Sequence, residues 1–275
     1  MKKKKIVAAI QELQEDVADY LHYTARLAKD AGFDLELIAG SPIINVTQTP
    51  TALVGVGSLH PADVMQLKTI EERKSTLNTV LDKLKEINKN INLNIGLGSI
   101  ENRVDHADVM DEAKLIVLDQ SSSDNIFNQL FGTTETSISK NTDLPTLMLP
   151  GNIEYKKPKK LLCFIKDTPQ KANSQLNEIV ELFDLDVTYA FEQDDDEHNI
   201  REMMSTIGIE FSNFEGELIS YSSDSSNKTD IDTLIKEISA DWIGILNYDR
   251  PLVERIYKKS TNSMILSSDL PLIIF

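Results

Sequence analysis

The chain repeats itself. Two lysine-rich starts, KKKKIVAAIQ from Lys2 and KKPKKLLCFIK from Lys156, are each followed by the same succession of apolar runs and helical periods. A repeat of this size constrains the fold more than any single motif, because each copy must be built as the same supersecondary unit. Ile6 falls on Leu161, an offset of 155. A helical face follows in each copy: Val17, Leu21, Ala25 and Ala28, closed by Gly32, and then Leu176, Ile179, Val180 and Phe183. The runs DLELIAG from Asp34 and DVTYAFE from Asp186 match at an offset of 152. NLNIGLGS from Asn92 matches GELISYSS from Gly216 at 124, and AKLIVL from Ala113 matches ADWIGI from Ala240 at 127. Both copies close on Asp-Leu-Pro and an apolar run, DLPTLML from Asp143 and DLPLIIF from Asp269.

The offset drops from 152 to 124 between the second and third runs, so the second copy lacks 28 residues there. The first copy fills that space with an uncharged stretch, 41–61, and an amphipathic helix from about Ala62 to Asn88 that carries Ile70, Leu77, Leu81 and Leu84 on one side. The second copy keeps only a short segment around 199–207. Strands alternating with helices, most strands being near-continuous apolar runs, predict a parallel sheet covered on both faces. The fold class expected is therefore α/β: two tandem doubly wound five-stranded parallel-sheet domains, 1–153 and 154–275, the second lacking much of the helix between its second and third strands. In such sheets ligands bind at the carboxyl ends of the strands where the strand order reverses. The loops after the first and fourth strands of each copy are the places to search.

Composition narrows the function classes. There are 28 basic against 44 acidic residues, a net charge of −16, and the two halves divided near residue 155 carry −7 and −9. Such a surface repels phosphate backbones and anionic lipid unless basic residues cluster, and they cluster only at Lys2 to Lys5 and at 156–160, each a solvated entry to an apolar strand. No nucleic-acid or membrane partner is expected. Purely apolar runs reach about five residues, as in LLCFI from Leu161, far below the roughly twenty that span a bilayer. The apolar stretch behind the basic start is also too short for a signal-peptide core, so a cytoplasmic protein is expected. The single cysteine, Cys163, excludes an internal disulfide and a cysteine zinc site, and its place between Leu162 and Phe164 predicts a buried thiol.

After the fourth strand the copies read LDQSSSDNIFNQLFGTTETSISKNTDLPTLMLP and LNYDRPLVERIYKKSTNSMILSSDLPLIIF. Together with the start IVAAIQ, this arrangement resembles the universal stress proteins, small α/β domains whose fourth strand leads into a loop, a helix and a last strand preceded by proline. The second copy resembles the degenerate second domains of tandem members. In nucleotide-binding members the resemblance implies the signature Gly, two residues, Gly, nine residues, Gly, then Ser or Thr, with an acidic residue ending the first strand. Glycines let the backbone approach phosphates, and free amides at a helix start hold the negative charge.

On that pattern the first copy keeps Gly132 and Thr133, has Ser122 and Asp119 where the earlier glycines stand, and has Gln11 for the first-strand acid. The second copy has Lys259 and Ser260, then Asp249 and Leu246, and Lys166 for the acid. Asp119 brings negative charge toward the place of a phosphate; two such charges at 4 Å repel by about 1 kcal/mol in water and by more where water is excluded. Any ATP site would lie in the first copy around Gln11, Ser122, Gly132 and Thr133, and the second copy is expected to have lost it.

The resemblance implies a non-enzymatic binding or regulatory protein of the stress response, its two copies pairing within the chain through their last strands, with a homo-oligomer open. Two alternatives stand beside it: a protein-interaction scaffold with no nucleotide site, and a nucleotide hydrolase using Asp119 in the first crevice. No metal site is expected. His106 among Asp105, Asp108, Asp111 and Glu112, and the QDDDEH run ending at His198, read as solvated acidic segments; His22 and His60 read as a surface or packing residue and a turn or cap residue. The 41–61 segment reads as packing or a lid-like loop over the first crevice.

Overall fold

The computed structural model describes residues 4–10, 17–41, 61–97, 112–119, 144–150, 153–165, 170–192, 205, 218–221, 229–246 and 270–275. The first half contributes β1 (Lys5–Ile10), α1 (Val17–Ala31), β2 (Asp34–Ser41), α2 (Pro61–Ile87), β3 (Ile91–Leu97), β4 (Ala113–Asp119) and β5 (Thr146–Leu149). The second half contributes β6 (Lys160–Ile165), α3 (Gln170–Phe183), β7 (Asp186–Glu192), β8 (Leu218–Tyr221), α4 (Thr229–Ile238), β9 (Trp242–Leu246) and β10 (Leu272–Ile274).

The ten strands form one sheet in the order β3-β2-β1-β4-β5-β10-β9-β6-β7-β8. Five strands come from each half, and the last strand of each, β5 and β10, joins them into one continuous mixed sheet. Every neighbouring pair is parallel except β5 with β10, which is antiparallel. Outward from that junction each half runs fifth, fourth, first, second and third strand, the doubly wound order with its switch point between the first and fourth strands.

The junction is a local twofold axis. Leu147 lies opposite Ile273, flanked by Thr146 with Ile274 and Met148 with Leu272. Leu147 and Ile273 are repeat equivalents, since Val117 and Gly244 sit beside them in β4 and β9 and beside the equivalent Ala8 and Cys163 in β1 and β6.

The same register corrects one offset. Leu37 pairs with Leu93 and its equivalent Tyr189 pairs with Leu218, so the third strands match at 125, not 124. Sliding a strand by one residue exchanges its faces. The offset of 124 would equate Ile95 with Ile219, yet these two pack on opposite faces of the sheet. Short apolar runs alternate too weakly to fix a register without their neighbours. The deficit between second and third strands thus becomes 27 residues, the step from 152 to 125. The short segment expected around 199–207 lies, apart from residue 205, outside the described residues.

Each face of the sheet has its own core. On one face α1, α2 and α3 bring Leu21, Leu27, Leu77, Leu84, Leu176 and Ile179 onto strand residues of both halves, among them Ile6, Leu37, Leu115, Leu161 and Ile273. On the other, α4 lays Leu234, Ile235 and Ile238 over the second half of the sheet, in a cluster with Phe164 and Ile243 that continues through Ile116 and Val7 of the first half. Burial on both faces is why the strands read as continuous apolar runs. Cys163 is among these residues, free and fully buried, and burial pushes its thiol far up from its ordinary value.

Residues 153–159 strap the halves together on the α1 face. Tyr155 packs edge-on to Tyr23 at 5.0 Å and donates its hydroxyl to Asp30 Oδ2 at 2.5 Å. Trp242 of β9 donates its indole N–H to the Tyr23 hydroxyl at 2.9 Å and packs edge-on to Phe183. Glu178 of α3 reaches back to Lys114 at 3.0 Å and Lys4 at 3.5 Å. The lysines of the second start are engaged similarly: Lys156 pairs with Asp241, and Lys160 Nζ donates to the Ile238 carbonyl. His22 lies half-buried on α1; His60, His106 and His198 lie outside the described residues. Among the described residues no helix is long and apolar enough to cross a membrane.

Candidate functional site

The switch point of the first half lies between the carboxyl ends of β1 and β4. Its floor is made of side chains rather than open backbone. β1 ends at Ile10, only 2% exposed, and β4 ends at Asp119, only 4% exposed. The crossover from β1 carries α1 back over the sheet and sets its first turn beside these ends. From that turn Tyr20 reaches down: its hydroxyl lies 2.8 Å from the Val117 carbonyl of β4 and 3.2 Å from the Ala9 carbonyl of β1. One phenolic hydrogen is thereby directed at both strands across the point where the order reverses. Thr24, one turn on, donates its hydroxyl to the Tyr20 carbonyl at 2.8 Å.

Electrostatics follow from the burial. Desolvation pushes the Tyr20 phenol well above its ordinary value, the charge of Asp119 adds to this, and the bond to Ala9 opposes it. Asp19 places a further carboxylate in the first turn of α1. The helix start, which elsewhere attracts phosphate, here already carries an acidic side chain.

In the second half the residue equivalent to Asp119 is Leu246, the last of β9, which is fully buried, and β6 ends at the fully buried Ile165. One crevice thus ends in a carboxylate and the other in an isobutyl group. Because β5 and β10 run antiparallel, the carboxyl ends of the first half point one way and those of the second half the other. The two switch points therefore lie at opposite edges of the sheet and cannot close on one small ligand.

Most residues singled out by the sequence pattern cannot be placed on this floor. Gln11, Ser122, Gly132 and Thr133 of the first copy, and Lys166, Asp249, Lys259 and Ser260 of the second, lie outside the described residues, as does 42–60 of the uncharged segment. Asp119 and Leu246, which stand where the signature's first glycine would be, are described. Tyr20 escaped the sequence reading. Its signal was its place: an aromatic residue in the first turn of a helix that must begin beside the end of β1. Among the described residues no group of three or more His, Cys, Asp or Glu side chains is arranged to hold a metal.

No family model and no curated protein sequence matches the chain. Solved structures do. A universal stress protein from Archaeoglobus fulgidus DSM 4304 superposes with a TM-score of 0.60 at 14% identity, over 100% of this chain and 98% of that one. A functionally unknown protein from Pseudomonas aeruginosa PAO1 gives 0.52 at 13% identity, over 99% and 92% of the two chains. A putative universal stress protein from Pseudomonas aeruginosa UCBPP-PA14 gives 0.50 at 12% identity, over 99% and 93%. At such identities the likeness establishes the fold, and it does so across both halves.

Proposed function

We propose that this chain, which has the whole-length fold of universal stress proteins, is a non-enzymatic binding and regulatory protein of the stress response, working in the cytoplasm without tight ATP binding. One observation carries the reading. The equivalent ends of β4 and β9 hold Asp119 and Leu246, both buried, where a phosphate-cradling loop begins with glycine. A glycine there lets a phosphate come against backbone amides, whereas a carboxylate repels it and a leucine fills the space. The second half has lost the site and the first opposes it, so the chain acts through protein contacts.

Thermal unfolding with and without millimolar ATP and Mg²⁺ tests this, together with mass spectrometry of any small molecule released on denaturation. A ligand at one hundred times its dissociation constant stabilises by about 2.7 kcal/mol, a rise of roughly 5 °C for a chain of this size unfolding as one unit. The native chain is expected to show no shift and to release no nucleotide. Asp119→Gly, if it folds, is expected to gain some ATP-dependent stabilisation. A shift of several degrees in the native chain, or nucleotide released from it, overturns the reading.

A further inference from the structure

We draw no further inference here: the strongest candidate, the side-chain cluster of Asp119 and Tyr20 at the carboxyl ends of β1 and β4, belongs to the site already described.

Discussion

Three helices end the same way with three different residues. After α1 the Gly32 amide donates to the Lys29 carbonyl and the Phe33 amide to Ala28; after α4 Ser239 and Ala240 repeat this on Lys236 and Ile235; after α3 Leu185 donates to Val180. The residue at the turn needs positive φ, which is 69° at Gly32, 55° at Asp184 and 54° at Ser239. This is the Schellman geometry, and only glycine enters it without a steric penalty from Cβ. Asp184 is the repeat equivalent of Gly32, so Asp184→Gly is expected to stabilise the chain by about 0.5–1 kcal/mol, less what glycine's freedom in the unfolded chain takes back. The mirrored change Gly32→Asp should lower stability by a similar amount; a Cβ there meets nothing within 4 Å, so the penalty is one of backbone alone. Denaturant titration of both variants checks this, and a destabilised Asp184→Gly would refute it. Residue by residue, the sequence was most readable where chemistry and burial agree. Cys163 lies buried within an apolar strand, as its neighbours foretold. Tyr20 was not readable, because its partners are the main-chain carbonyls of residues 9 and 117, which only the closed sheet brings together.

Elements were legible by their periods, and registers were not. The offset between the third strands went wrong by one because β8 has only four residues, LISY, against seven in β3. So short a run offers little alternation to anchor, and its register comes from β7 alongside it. The long helix is there with three residues of its expected core stripe buried, Leu77, Leu81 and Leu84, while Lys68, Glu71, Glu72, Lys74 and Ser75 are exposed; the side chain of Ile70, the fourth, lies outside the described residues. Its length has a consequence. At 27 residues α2 is about 40 Å long, whereas the seven residues of β3 span about 23 Å. Asn88 to Asn90 turn the chain directly from the end of α2 into β3, so the carboxyl-terminal turns of the helix lie on the sheet and its first turns extend beyond it. One local term there is the Lys68–Glu72 pair at 3.9 Å, worth a few tenths of a kcal/mol. Amide hydrogen exchange should therefore be slow over 77–87 and faster by at least tenfold over 65–72. Uniform protection along α2 would show that its first turns are packed as firmly as its last.

For the whole molecule, the decisive fact is that the repeat closes on itself. The antiparallel contact of β5 with β10 turns two copies into one sheet, and the strap 153–159 fastens them across the α1 face. Asp241 is one fastener: its Oδ2 accepts the amides of Lys159 and Lys160 and its Oδ1 the ammonium of Lys156. Burial pushes its carboxyl up, but Lys156 and the two amides outweigh this and hold it below its ordinary value. A folded carboxyl titrating below the unfolded one contributes stability that is present above the unfolded value, near 3.9, and lost as pH falls through the lowered folded one. Asp241→Asn should therefore lower stability at neutral pH by about 1–2 kcal/mol, and the gap from the native chain should close as pH is taken below 4. A gap that persists unchanged in acid would mean that shape, not charge, fastens the strap. The shared core leads to a larger expectation. One apolar cluster takes residues from β1, α1 and α2 of the first half and from β6, α3 and β9 of the second, so neither half buries its surface alone. Trp242, the chain's single tryptophan, stands in the second half with its indole on Tyr23 of the first. Its fluorescence and the far-ultraviolet circular dichroism of the whole chain should give coincident unfolding curves, the mark of one cooperative unit. Leu84→Ala, a first-half truncation expected to remove about 2–5 kcal/mol, should then move the Trp242 transition as far as it moves the helix signal. If Trp242 kept its native midpoint while half the ellipticity was lost, the halves would be two independent domains joined by a strap, and the sheet junction at Leu147 and Ile273 would be a contact rather than a core.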